Sequence, residues 1–462
     1  MASLNFNKLL EVLMSSDNAE RRRGEAMWEQ MKSDAPDEVL VRLCEVLGMR
    51  QEEQEPIRAM AAVLIRMLFG VRSDIWFRVR PETQAEVKRG LLMSLTEESV
   101  SHIRRKITHA VGQLAGEMLA GDSQWPELMA LTEALCSGDQ VAPGLKVQGL
   151  DLVNILAEYA GEMLVPHRDG LIQIFELCLA EEDLLVRVAA LKAACSFLQD
   201  LIGGLAVSGY ARLLPYMLSV LEAVVNKRDE EVARDALRAL AVIAEKQPHL
   251  LTGGALEHVG KAMLSLAGSD ALEAATRELA LEFITSLCEN VPDEVRKMGC
   301  SMVDVVVPLT VQMLVHIDDG EDGEEDLRAW LSRTESSVEQ GRGGDQDDDE
   351  ELGTTAALAL NRVSIALGGH AVLGTALPVA SAFVGSGSDW RRRRAGLHAL
   401  LLLGEGCREQ MEAVLPEIVL GPVLRCAGED PHPKVREAGL ACLAQMASDF
   451  DGGEEEDDED EE

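Results

Sequence analysis

Aromatic residues make up only 3% of this 462-residue chain, and its 15 prolines are too few to break it into short pieces. Such a shortage excludes a core built on ring packing. The 47% hydrophobic content comes instead from Leu, Ala, Val and Met, which suits stacked helices better than a sheet. Sustained Val/Ile/Thr alternation bounded by Asn-Gly turns is missing, so no sheet is expected. The nine cysteines (Cys44, Cys136, Cys178, Cys195, Cys288, Cys300, Cys407, Cys426 and Cys442) form no CxxC pair. Most lie in apolar helical runs and are expected to be small buried hydrophobes in a reducing compartment. No window holds about 18 uninterrupted apolar residues. Residues 1–13 have neither a basic start nor a cleavage site, so a soluble protein that starts in the cytosol is expected.

Catalytic signatures are also missing. The histidines at 102, 109, 167, 249, 258, 316, 370, 398 and 432 make no HExxH, no metal-ligand spacing and no nucleophile motif. Gly368-Gly369 and Gly341-x-Gly-Gly344 lack the strand, spacing and lysine of a phosphate loop. No enzyme, cofactor or metal is expected.

Positive charge is scarce as well: 43 Lys and Arg stand against 80 Asp and Glu, for a formal net charge of −37. Without a basic stripe interleaved with aromatics, nucleic acid is excluded as the main ligand. The acid is segregated. Residues 318–351 hold fifteen acidic and three basic residues, and residues 449–462 hold eleven acidic and no basic ones, leaving −14 for the remainder. Both segments lack apolar periodicity over most of their length and are expected to be disordered.

What is present is a repeat. Asp389-Trp-Arg-Arg-Arg-Arg-Ala-Gly-Leu397-His-Ala-Leu400 returns 43 residues later around Ala438-Gly-Leu440-Ala-Cys-Leu443. A small residue followed by an apolar one on one helix face recurs at Ala26, Ala62, Ala110, Gly149, Ala190, Ala236, Ala280, Ala359, Gly396 and Gly439. The steps are 36, 48, 39, 41, 46, 44, 79, 37 and 43. That period is the mark of HEAT or armadillo helix pairs, none of which can bury its apolar face alone. The long step holds the acidic insertion. Asp17, Asp183, Asp229 and Asp270 stand where each should cap a following helix.

The same residues resemble a known family. Trp390-Arg-Arg-Arg-Arg-Ala-Gly-Leu-His-Ala-Leu, Gly404-Glu-Gly-Cys-Arg-Glu-Gln-Met-Glu412 and Asp430-Pro-His-Pro-Lys-Val-Arg436 are similar to segments of the karyopherin-β (importin-β) nuclear import receptors, in particular the importin five or karyopherin beta-3 type. Arg58-Ala-Met-Ala-Ala-Val-Leu-Ile-Arg66, Ile103-Arg-Arg-Lys106, Gln124-Trp125-Pro126, Arg277-Glu-Leu-Ala-Leu-Glu282 and Leu367-Gly-Gly369 follow the same subgroup in order. The resemblance covers nearly everything from Phe6 to Phe450 and corresponds to the N-terminal half of such a receptor.

The resemblance implies an all-α, right-handed α-solenoid superhelix of about ten HEAT repeats. Residues 1–317 would hold repeats 1–8 as far as the first helix of the eighth. Residues 318–351 would form an acidic loop within that repeat, 352–448 would complete repeats 8–10, and 449–462 would be an acidic tail. It implies a transport receptor that shuttles between cytoplasm and nucleus and carries basic cargo such as ribosomal proteins or histones. Its other partners would be FG-repeat nucleoporins and the GTP form of the GTPase Ran, with no nucleic acid and no membrane. Ran binding falls near residues 1–125, where Arg58, Arg104, Arg105 and Lys106 are the candidate contacts. Asp318, Asp319, Glu321, Asp322, Glu324, Glu325 and Asp326 are candidates in the acidic loop for Ran or cargo, and Trp390 for cargo on the inner surface. The family continues well past the tenth repeat, so part of the inner cargo surface is expected to be missing. The charge pattern alone leaves a second reading open: an acidic HEAT-repeat scaffold, or a chaperone for ribosomal proteins or histones.

Overall fold

The computed structural model describes residues 2–70, 73–121, 123–137, 141–199, 210–298, 302–318 and 348–450. These divide into two compact units, 1–220 and 221–462. Among the described residues there is no strand, and the longer helices follow one another in ten consecutive pairs.

In the first unit α1 (Ala2–Leu13) is followed by α2 (Asn18–Asp34), α3 (Pro36–Leu47) by α4 (Glu55–Leu68), and α5 (Pro81–Glu97) by α6 (Ser101–Ala120). Next come α7 (Pro126–Ser137) with α8 (Pro143–Leu164) and α9 (Arg168–Leu179) with α10 (Leu184–Gln199). The division between units falls within α11 (Leu214–Asn226). The second unit continues with α12 (Glu230–Lys246), then α13 (Gly253–Ala267) with α14 (Ala274–Asn290), and α15 (Val303–Met313) with α16 (Asp348–Leu367). It closes with α17 (Gly369–Val384) and α18 (Trp390–Leu403), then α19 (Leu424–Glu429) and α20 (Pro433–Phe450).

Local chemistry accounts for many of the boundaries. Proline occupies the first turn of α3, α4, α5 and α8, where its missing N–H costs no intrahelical bond. Asp17, Asp183, Asp229 and Asp389 each accept backbone N–H groups of the helix that follows. Asp270 departs from this expectation. The helix after it begins only at Ala274, and its carboxylate pairs instead with Arg277, 3.1 Å away.

Second helices stack on second helices. In the first unit α4 packs on α6, α6 on α8 and α8 on α10; in the second, α12 packs on α14, then α16, α18 and α20 in turn. Every repeated small residue falls on a second helix, and from Ala62 to Gly439 each is buried. Glycine serves the contact within a pair: a Cβ on Gly396 of α18 would stand 2.7 Å from Val384 N and 2.8 Å from Ala380 O of α17. One on Gly439 of α20 would stand 2.8 Å from Ala427 N of α19. The first position of the series is a miss. Ala26 is exposed, and α2 buries Gly24 and Trp28 instead, four residues apart on its other face. The expected start of the helix after the acidic insertion also moves, to Asp348. Eight cysteines are described, and all but the half-buried Cys44 are buried.

Candidate functional site

α6 carries the basic run Arg104-Arg105-Lys106 in its first turns. Ile103, Ile107, Ala110, Val111 and Leu114 anchor its opposite face in the core. The anchoring leaves His102, Lys106 and His109, at i, i+4 and i+7, along one side of the helix. Arg66 and Val63 of α4 face them across a cavity of about 410 Å³ lined by Val63, Arg66, His102, Arg105, Lys106 and His109. None of Arg66, Arg105 and Lys106 makes an ion pair among the described residues. In a chain with nearly twice as many acids as bases, that is an unusual concentration of uncompensated positive charge. Burial lowers the pKa of His109, and Arg105, Arg66 and Lys106 lower it further against the opposing charge of Glu158. Its Nδ1 is buried without a hydrogen-bond partner among the described residues.

The four basic residues singled out in the sequence do not act together. Arg58 is 2% exposed. Its Nε and Nη2 donate to the Glu98 carboxylate at 2.9 and 3.3 Å, and its Nη1 donates to Gln51 O. It is an internal strut between consecutive pairs, so its assignment as a partner contact is corrected. Arg104 turns towards the preceding loop and donates to Glu98 O at 3.2 Å. Arg105 and Lys106 alone face the cavity. Arg66, His102 and His109 were missed, although the i, i+4, i+7 spacing on α6 carried the signal for the two histidines.

Trp390 opens α18 half-buried. Its ring is stacked on His432 with centroids 4.0 Å apart and 9° between planes, and Lys434 Nζ lies 5.4 Å from its centroid. The indole thereby fastens α18 to the start of α20. Asp318 ends the 3₁₀ turn Leu314–Asp318, and the other acidic candidates (Asp319, Glu321, Asp322, Glu324, Glu325 and Asp326) lie outside the described residues. In the first unit a second cavity, of about 580 Å³, opens between α5 and α7 and includes Leu92, Met93, Trp125 and Leu131. Trp125 is 1% exposed and its Nε1 has no hydrogen-bond partner among the described residues. The glycines at 368–369 and 406 meet at a helix junction: Gly368 has φ +77°, and a Cβ on Gly406 would strike the Ser364 backbone.

Two family models match the chain, "IPO5-like, TPR repeats" over residues 99–260 and "Importin repeat" over 269–374, together more than half of it. The chain belongs to the karyopherin-β family. This karyopherin is 25% identical over 459 residues to importin subunit beta-3 of Saccharomyces cerevisiae, covering 96% of the chain and 39% of that relative. It is also 25% identical over 411 residues to the probable importin-5 homolog of Dictyostelium discoideum, covering 87% and 36%. It therefore spans about two fifths of the length of the curated relatives it matches. Its fold is similar to the crystal structure of Kap121p (TM-score 0.78, 24% identity, 97% of this chain and 41% of that one). Kap121p bound to RanGTP matches equally well (TM-score 0.78, 23% identity, 97% and 41%). The α-solenoid of HEAT-type helix pairs is thus the fold of this karyopherin, whose family consists of transport receptors rather than enzymes. No described helix is long and apolar enough to cross a membrane.

Proposed function

We propose that this karyopherin works as a nuclear import receptor that shuttles between cytoplasm and nucleus and binds the GTP form of Ran. The observation that carries the reading is the uncompensated cationic face of α4 and α6, on second helices early in the chain, within a family of import receptors. Arg105 and Lys106, with Arg66, are the residues proposed to contact the GTPase. The solved relative Kap121p has been crystallised with RanGTP and with protein partners including Pho4p and Ste12p, which supports proposing both kinds of ligand here. Cargo of basic character, such as ribosomal proteins or histones, suits the acidic segment that begins at Asp318. FG-repeat nucleoporins suit the apolar cavity between α5 and α7, where an inserted phenylalanine would meet Leu92, Met93 and Leu131.

A pull-down with Ran loaded with GTP or GDP tests the reading, using the wild-type chain beside Arg105→Glu/Lys106→Glu. Preference for the GTP form, weakened at least tenfold by the double reversal, is expected. Equal binding of both nucleotide forms would remove the import-receptor function. The segregation of acid into residues 318–351 and 449–462 favours a second reading, a chaperone that shields basic clients. That reading predicts suppression of histone aggregation without any dependence on Ran.

A further inference from the structure

The cavity between α4 and α6 has a shape and charge that a flat protein contact does not require. We infer that it is a binding site for a phosphoryl oxyanion, either a free polyphosphate or a phosphate carried on a side chain or small molecule. Three cationic side chains from two helices line one open cavity of about 410 Å³, ample for a di- or triphosphate group. Neither Arg66, Arg105 nor Lys106 has a carboxylate partner among the described residues. Glu158 and Asp151 of α8 act on residues of this region through space and do not line it. A single carboxylate would leave most of the cavity's positive charge uncompensated, whereas a phosphoryl group brings two charges and three acceptor oxygens to the same donors. The two guanidinium groups can each offer a planar fork to such oxygens, and Lys106 a compact charge. His109 lines the same cavity, and its buried Nδ1 has no hydrogen-bond partner among the described residues.

The large acidic excess of the chain sharpens the inference. Non-specific adsorption of a polyanion is opposed over the rest of the molecule, so a saturable signal can be assigned to a local cationic site. The assignment does not depend on binding of Ran.

The test is calorimetric titration of the whole chain at low ionic strength with tripolyphosphate, with inorganic phosphate and with a phosphoserine peptide. It is run on the wild type, on Arg66→Gln/Lys106→Gln, and on Arg238→Gln, an exposed arginine of α12 paired with Asp235. One saturable tripolyphosphate site per chain is expected, weakened at least tenfold in the double variant and unchanged in Arg238→Gln. Tighter binding of the peptide than of tripolyphosphate would identify a side-chain phosphate as the ligand, and the reverse order a free polyphosphate. Because both substitutions remove exposed or half-buried charge, the double variant should melt at the wild-type temperature without ligand. No saturable binding by the wild type at millimolar tripolyphosphate, or equal binding by the double variant, would overturn the site.

Discussion

Arg393 in the first turns of α18 lies bidentate on Asp430, which stands between the two helices of the next pair. Nε donates to Oδ2 at 2.7 Å and Nη2 to Oδ1 at 2.9 Å. The remaining Nη1 donates to Ser386 O and Gly387 O, so the guanidinium ties the loop before α18 to the corresponding loop of the next pair, between α19 and α20. Arg58 and Glu98 repeat the arrangement near the other end of the chain, 40 residues apart where Arg393 and Asp430 are 37. Each pair spans one step of the helical series.

Breaking such a pair should cost more than it contributes when intact. Asp430→Ala leaves a guanidinium that is only 10% exposed facing a gap, and a loss of about 3–5 kcal/mol is expected. Arg393→Met/Asp430→Leu should recover most of that, because neither charge is then left buried. Denaturant unfolding of the two variants beside wild type checks this; equal stability of both would mean the pair is not desolvated.

Acid should destabilise the protein in two stages. Burial depresses the pKa of His398 to about 4, helped by the charge of Arg394. The folded state therefore keeps it neutral while the unfolded chain takes up a proton near about 6.5. Stability should fall as pH drops from about 6.5 towards 4, and His398→Gln should reduce this first stage. At Asp430 burial acts to raise the pKa, but the hydrogen bonds from Arg393 and the His432 amide, with the Arg393 charge, lower it overall. Glu98 is lowered against burial in the same way by Arg58 and the Val100 amide. These carboxylates stabilise the fold fully above their unfolded values near about 4, and that part is lost as pH falls through their folded values. Asp430→Asn should flatten the second stage in a denaturation series across pH.

Glycine positions should divide sharply by neighbour. Gly396→Leu and Gly439→Leu force a side chain against backbone atoms of the paired helix and should cost about 1–3 kcal/mol each. Gly170, near the start of α9, has nothing within 4 Å of an added Cβ. Gly170→Ala should stabilise by about 0.5–1 kcal/mol through the loss of chain entropy in the unfolded state. Thermal melting of the three variants is the measurement.

The acidic insertion should act on the rate of cargo capture. Neutralising Asp318, Asp319, Glu321, Asp322, Glu324, Glu325 and Asp326 to Asn or Gln should slow association with a lysine-rich tail at low salt and leave the melting temperature unchanged. At about 0.15 M ionic strength screening acts over roughly 8 Å, so the difference should shrink as salt is added. Stopped-flow binding across a salt series checks this, and an unchanged rate at every salt would limit the segment to a solubilising role.

The sequence by itself determined an all-helical chain with ten repeated pairs. Helix formation, the 3.6-residue apolar face, the aspartate caps at Asp17, Asp183 and Asp229, and the small residues from Ala62 to Gly439 are all local signals. Ala26 shows the limit of that signal, because two faces of α2 offered a small residue and only packing selected Gly24. What an arginine does was beyond local reading. Arg58 and Arg105 both stand on polar borders of second helices, yet one is held by Glu98 from the following repeat while the other faces an open cavity. Their difference depends on a partner some forty residues away, brought near only by the stacking of one pair on the next. The same stacking set Arg66 of α4 opposite His109 of α6. The cationic cavity therefore belongs to the tertiary structure, although each residue lining it stands on a helix that the sequence had already marked out.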